Sequence, residues 1–133
     1  MKYLAIIYGN AAKWEAQSRE EHARVVGIHD DCISRLSASG ELLTAFGLGD
    51  ERTAQTVRVR EGTLAVTDGP YLEAKEYLAS AYILDVVSAE RAQELVAELP
   101  SAEAEGVELW PILFGDPGGK RDPVAAGRLA GET

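Results

Sequence analysis

Two histidines, His22 and His29, stand seven residues apart in the N-terminal third of the chain. Imidazole titrates near neutral pH, so each is a candidate proton carrier. Seven residues make almost two helical turns, which puts both rings on one helix face. Val25, Val26, Ile33 and Leu36 fall around them, so the rings should point toward the sheet rather than to water. The plainer reading of each is a neutral core histidine with one hydrogen bond. A shared metal ion fits poorly, because a rise of 1.5 Å per residue separates the rings by roughly 10 Å along the axis.

The carboxylate best placed to assist is Asp68, in the stretch VTDGPYLEAKEYL. Gly69-Pro70 behind it forces a sharp turn, which could aim Asp68 at a cleft. There it would orient His29 or stabilise its charged form. Its ordinary alternative is a bond to its own backbone. An aromatic fixed after such a break lines or plugs a pocket, so Tyr71 joins the candidates facing the cleft. Phe46 and Trp110, on expected strands, could line a cavity too, although core packing explains them equally. With His22 and Tyr71, Phe46 completes the candidate ligand-binding set. Asp30 and Asp31 follow His29 directly and point away from it and from each other, as a solvated face. Glu73, Lys75 and Glu76 read as solvated loop charges. The single cysteine, Cys32, reads as a small buried residue. No glycine-rich phosphate loop, nucleophile elbow or metalloprotease helix motif is present, and no cofactor is implied.

The elements that must position these residues follow from pattern. Tyr3 to Tyr8 is a short apolar run before Gly9-Asn10, a buried strand. Ser18 and Glu21 form a capping box that opens a helix from about Arg19 to Ser39, and Gly40 suits its left-handed end. ELLTAFGLG is a second strand. TVRVREGTLAV is a hairpin turning at Glu61-Gly62, with Val57 and Val59 alternating against Arg58 and Arg60. YLASAYILDVV is a long strand. Ser88 caps a helix with Ala92, Leu95, Val96 and Leu99 on its apolar stripe and Pro100 as its stop. VELWPILF closes the domain. With the hairpin set aside, the order is β-α-β-β-α-β, an α+β ferredoxin-like pattern. Residues 115–133, with five Gly and two Pro, form an expected flexible or surface-lying tail.

YLAIIY and AYILDVV are apolar at nearly every position, so both faces of the sheet should be covered. Two helices cover one face. A second copy, packed sheet to sheet about a two-fold axis, is the simplest cover for the other, which makes a homodimer the expected assembly.

The chain has 133 residues, 46% apolar and 26% charged, as expected of one globular domain, and a formal net charge of −9. Such a charge argues against nucleic acid and against an anionic membrane surface as partners. The apolar start is shorter than a signal core, and one cysteine suits a reducing cytoplasm, so a cytoplasmic location is expected.

The segment TDGPYLEAKEYLASAYILDV resembles the signature of the DGPF group within the YCII-related family, here Asp68, Gly69, Pro70, Glu73, Lys75 and Glu76, with Tyr71 where the group has Phe. MKYLAIIYGN, GELLTAFGL and TVRVREG look like the family too, and the resemblance covers residues 1–114. It implies a ferredoxin-like fold assembling as a dimeric α/β barrel. It also implies that some members are enzymes with a first-helix histidine acting beside an Asp. A His eleven residues before the Gly that opens the second strand matches His29 and Gly40 and not His22. Many such proteins are linked to extracytoplasmic sigma factors. Two functions follow as expectations. One is a small-molecule enzyme with cofactor-free, lyase-like acid–base chemistry at His29 and Asp68. The other is a non-enzymatic ligand-binding or regulatory module, with a sigma-factor-linked regulator as partner.

Overall fold

The computed structural model describes residues 1–72 and 74–113, so the expected tail, residue 114 and Glu73 lie outside the described residues. The elements are β1 (Lys2–Gly9), α1 (Ala11–Ala16), α2 (Arg19–Ser39), β2 (Leu42–Gly47), β3 (Gln55–Arg60), β4 (Thr63–Asp68), β5 (Tyr77–Asp85), α3 (Ala89–Val96), α4 (Pro100–Glu103) and β6 (Val107–Pro111), with a short 3-10 turn over Glu51–Thr53. A four-stranded antiparallel sheet runs in the order β2-β5-β1-β6, and β3-β4 is a separate two-stranded ribbon. This is the α+β, ferredoxin-like arrangement, with the ribbon inserted between its second and third strands.

Local chemistry explains the boundaries. Ser18 Oγ accepts from the Glu21 backbone N–H at 3.1 Å and starts α2. Gly40 ends it at φ 80°, the left-handed C-cap, with the Glu41 N–H bonded to the Leu36 carbonyl at 3.0 Å. A Cβ at Gly40 would meet no atom within 4 Å. Gly40→Ala should therefore cost only the backbone strain, about 1 kcal/mol in a chemical-denaturation measurement.

Two elements correct the sequence reading. Asn10, taken only as a strand border, caps α1 by accepting from the Lys13 N–H at 3.1 Å. Six residues are too short for a periodic signal to show. Pro100 does not stop α3, which ends at Val96. It opens α4 from the first helical position, where its missing N–H has no partner to lose.

The core lies between one sheet face and the helices. Tyr3, Ala5 and Ile7 of β1, Tyr82 and Leu84 of β5, Cys32 and Leu36 of α2, and Ala92, Leu95 and Val96 of α3 form one buried cluster. Cys32 is buried as expected, and burial pushes its thiol pKa up. The register puts the alternate residues on the opposite face. There Leu4 lies between Ile83 and Trp110, and Ile6 between Ala81 and Glu108, while Phe46 pairs with Ala81. Ala81 is buried but stands apart from the cluster.

Arg91 of α3 grips Glu41, just before β2, in a two-pronged bond at 2.8 and 3.0 Å. The guanidinium holds the Glu41 carboxyl below its ordinary pKa. On acidification the unfolded chain therefore takes up this proton first. The stability that the pair contributes is present above the ordinary Glu range and is lost as pH falls through the lowered folded value. Glu41→Gln should lower the urea midpoint at neutral pH and do progressively less below the Glu range.

Candidate functional site

The buried residues of α2 are Cys32 and Leu36, both in its C-terminal half. Toward its N-terminus the helix stands off the sheet and leaves an open cleft of about 1020 Å³, lined by α2, by the ends of β1, β2 and β5, and by α1 and α4. This is the upper end of the size range of small-molecule sites. Trp14, Tyr77 and Tyr82 are among its aromatic residues, with Tyr8 and Phe46 at its border on the strand ends.

His29 is on the cleft wall and half-buried. Its Nδ1 lies 2.6 Å from the hydroxyl of Tyr82, and the two rings meet edge to face with centroids 5.9 Å apart. Nε2 has no hydrogen-bond partner among the described residues. Burial lowers the His29 pKa, partly offset by the nearby Asp30 carboxylate. Burial raises the Tyr82 pKa, so the phenol stays protonated. A ring so held is neutral at physiological pH, oriented from one side and open to a ligand on the other.

Tyr82 was not read from the sequence, where it is one apolar position of a long strand. Its place depends on register. Its cross-strand neighbours are Ala5 and Ala45, and their small side chains leave room for the ring beside α2. The alternation of small and large residues could have pointed to it only with the pairing known.

The other candidates are dispersed. His22 does not line the cleft. Its ring stacks on Trp14 at 3.8 Å, and Nε2 is 2.6 Å from the Trp14 carbonyl. A carbonyl only accepts, so Nε2 carries a proton and clamps α1, whose Lys13 also pairs with Glu105 at 2.6 Å. His22 thus holds in place the indole that does line the cleft. Phe46 borders the cleft at the end of β2, and its register with Ala81 puts its side chain on the far face of the sheet. Val26, expected on the buried face, is 51% exposed because that part of α2 borders the opening.

Asp68 is exposed at the end of the β3-β4 ribbon and is not among the residues lining the cleft. The corner behind it is held by two hydrogen bonds. Gly69 sits at φ 98°, a left-handed conformation that favours glycine, its N–H donates to the Ala54 carbonyl at 2.7 Å, and its own carbonyl accepts from the Thr56 hydroxyl at 2.8 Å. Tyr71 is 78% exposed, with the Arg58 guanidinium 6.0 Å from its ring centre. Within one chain the structure brings together His29 and, through Trp14, His22, with Phe46 at the cleft's border. It does not bring Asp68 or Tyr71 to them.

Among the described residues no group of three or more His, Cys, Asp or Glu is placed to hold a metal ion, and no helix is long and apolar enough to cross a membrane.

The molecule is therefore an α+β ferredoxin-like domain with an aromatic cleft between its first long helix and its sheet, and one imidazole on the cleft wall. Residues 1–114 match the model of the YCII-related domain, and the chain belongs to that family. It is also similar to an uncharacterized protein of Rhizobium meliloti (strain 1021), 28% identical over 120 residues that cover 89% of this chain and 97% of the relative.

Proposed function

We propose that the cleft binds a small organic molecule and that His29 carries out cofactor-free acid–base chemistry on it, of the lyase type. One observation carries this reading: a half-buried imidazole on the wall of an aromatic cleft, with one nitrogen on a protonated phenol and the other without a protein partner. Asp68 enters as a separately testable assistant, supported by the hydrogen-bonded corner behind it and by the motif of the DGPF group. The test begins with native mass spectrometry of the purified protein, to find any co-purifying metabolite. The molecule found is then assayed with His29→Ala and Asp68→Asn. Full turnover by His29→Ala would remove the assignment, and full turnover by Asp68→Asn alone would remove only Asp68.

The rival is a non-enzymatic ligand-binding or regulatory module tied to sigma-factor signalling. It keeps the cleft and drops the chemistry. Capture of a sigma-factor-linked regulator, together with ligand that is bound and never converted, would favour it.

We further propose that the protein is a cytoplasmic homodimer in which the uncovered sheet faces meet as a dimeric α/β barrel. The support is the row of Leu4, Ile6, Ile83, Phe46 and Trp110 on the face away from the core. Analytical ultracentrifugation should give twice the chain mass, and Leu4→Glu should halve it. A wild-type monomer at micromolar concentration would refute the assembly.

A further inference from the structure

The tautomer of His29 is decided by its neighbour. Tyr82 is 3% exposed, and among the described residues its hydroxyl has no hydrogen-bond partner besides Nδ1 of His29 at 2.6 Å. A phenol has one hydrogen to donate. If Nδ1 carried the proton and donated to the phenol, the Tyr82 hydrogen would be left without an acceptor among the described residues, in a residue that is 3% exposed, which folded proteins avoid. If Tyr82 donates, both atoms are satisfied, and the ring's remaining proton sits on Nε2.

The charges at the mouth narrow what can approach. Glu21, Asp30, Glu103 and Glu105 face only Lys13 and Arg24 there. Lys13 is engaged by Glu105 and Arg24 by Glu21, so neither cation is free to hold an anion. Asp30 and Glu103 have no ion-pair partner among the described residues, and an anionic ligand would meet a repulsive rim.

We infer that Tyr82 donates its hydroxyl hydrogen to Nδ1 and so holds His29 as the Nε2–H tautomer, which makes the cleft a site for molecules that carry no negative charge and present an acceptor oxygen, carbonyl compounds by class. The inference rests on the cleft being a ligand site and specifies which face of His29 that ligand meets. Neutral His29 then acts by donating a hydrogen bond from Nε2 to the ligand oxygen, polarising it as electron density builds there. At that nitrogen His29 is a donor, so its part in the acid–base chemistry is on the acid side, toward the ligand oxygen. Tyr82 is a positioning residue in this arrangement, since its hydroxyl acts through His29.

Nitrogen-15 spectra of the histidine side chains test this on the whole free protein, above the pH range in which histidine titrates. The His29 signals are assigned by their loss in His29→Gln. Protonated and unprotonated ring nitrogens resonate far apart, so the tautomer is read directly. The expected result is an unprotonated Nδ1 and a protonated Nε2. In Tyr82→Phe the hydrogen-bond shift at Nδ1 should vanish. A protonated Nδ1, or signals averaged between tautomers in the wild type, would overturn the inference, and the wild-type spectrum decides this even if Tyr82→Phe does not fold. Cyclohexanone, an acceptor-only probe, should then shift the Nε2 signal, while methylcyclohexane and cyclohexanecarboxylate leave it in place. If the tautomer is as expected and cyclohexanone has no effect on Nε2 or on the cleft aromatics, the ligand-site reading fails and the tautomer stands.

Discussion

His29→Ala is expected to lower kcat/KM about 10²–10⁴-fold for any molecule that the cleft converts, the range associated with loss of one positioned proton-transfer or hydrogen-bonding group. The loss should fall mainly on kcat, because the aromatic lining that holds the ligand is untouched. His29→Gln separates two roles, since Gln offers an N–H but cannot titrate. Retained activity in Gln but not in Ala points to donation, and equal loss in both points to proton transfer. The same variant has a stability signature. Burial keeps the folded ring neutral to lower pH than in the unfolded chain, with Asp30 on the same helix opposing and the Tyr82 phenol facing from β5. As pH falls, the unfolded chain takes up the proton first. The stability tied to the neutral ring is present above the ordinary His range and lost as pH drops through the lowered folded value. Wild-type stability measured by urea titration should fall across that window, and His29→Ala should flatten the fall.

Leu84→Ala is expected to destabilise the fold by about 3–5 kcal/mol, the upper part of the range for large-to-small core changes. Leu84 is 0% exposed, near the C-terminal end of β5 and paired on both sides, with Tyr3 of β1 and Leu42 of β2. Truncation would remove its buried surface and leave a void that strands bonded on both sides cannot close. At fixed protein concentration the melting temperature should drop by roughly 10–20 °C for a domain of this size. A change below about 1 kcal/mol would mean that the core relaxes far more than such packing allows. The comparison site is Leu43, which is 51% exposed on β2. Its truncation should cost less than half as much, because it still meets water in the folded chain.

Much of this fold is legible in the residues. The helix from Arg19 to Ser39 was readable because Ser18, Glu21 and Gly40 carry their signals locally. The hairpin was readable because Glu61 and Gly62 both take the positive φ that its tight turn needs. What was not legible depends on contacts between distant segments. The capping signal of Asn10 was hidden by the brevity of α1. The partnership of Tyr82 with His29 depends on a register that no single strand encodes. The helix face holding the histidines looks uniformly apolar in projection, yet only its Cys32–Leu36 end reaches the core, because α2 diverges from the sheet. The motif around Asp68 announced a sharp corner, and the corner is there. The direction in which it presents Asp68 and Tyr71 follows from the ribbon, and local sequence does not determine it.

The placement of the two tryptophans has a practical consequence. Trp14 lies face to face with an imidazole at the cleft mouth, while Trp110 stands 56% exposed among the apolar side chains of the uncovered sheet face. Indole emission is sensitive to polarity and is quenched by a charged imidazole in contact. The chain thus carries two native fluorophores in separate places, one at the cleft, where it would report the proposed ligand, and the other on the sheet face, where it would report the proposed dimer. Replacing either with Phe would leave a single-colour sensor for the remaining event, with no dye attached.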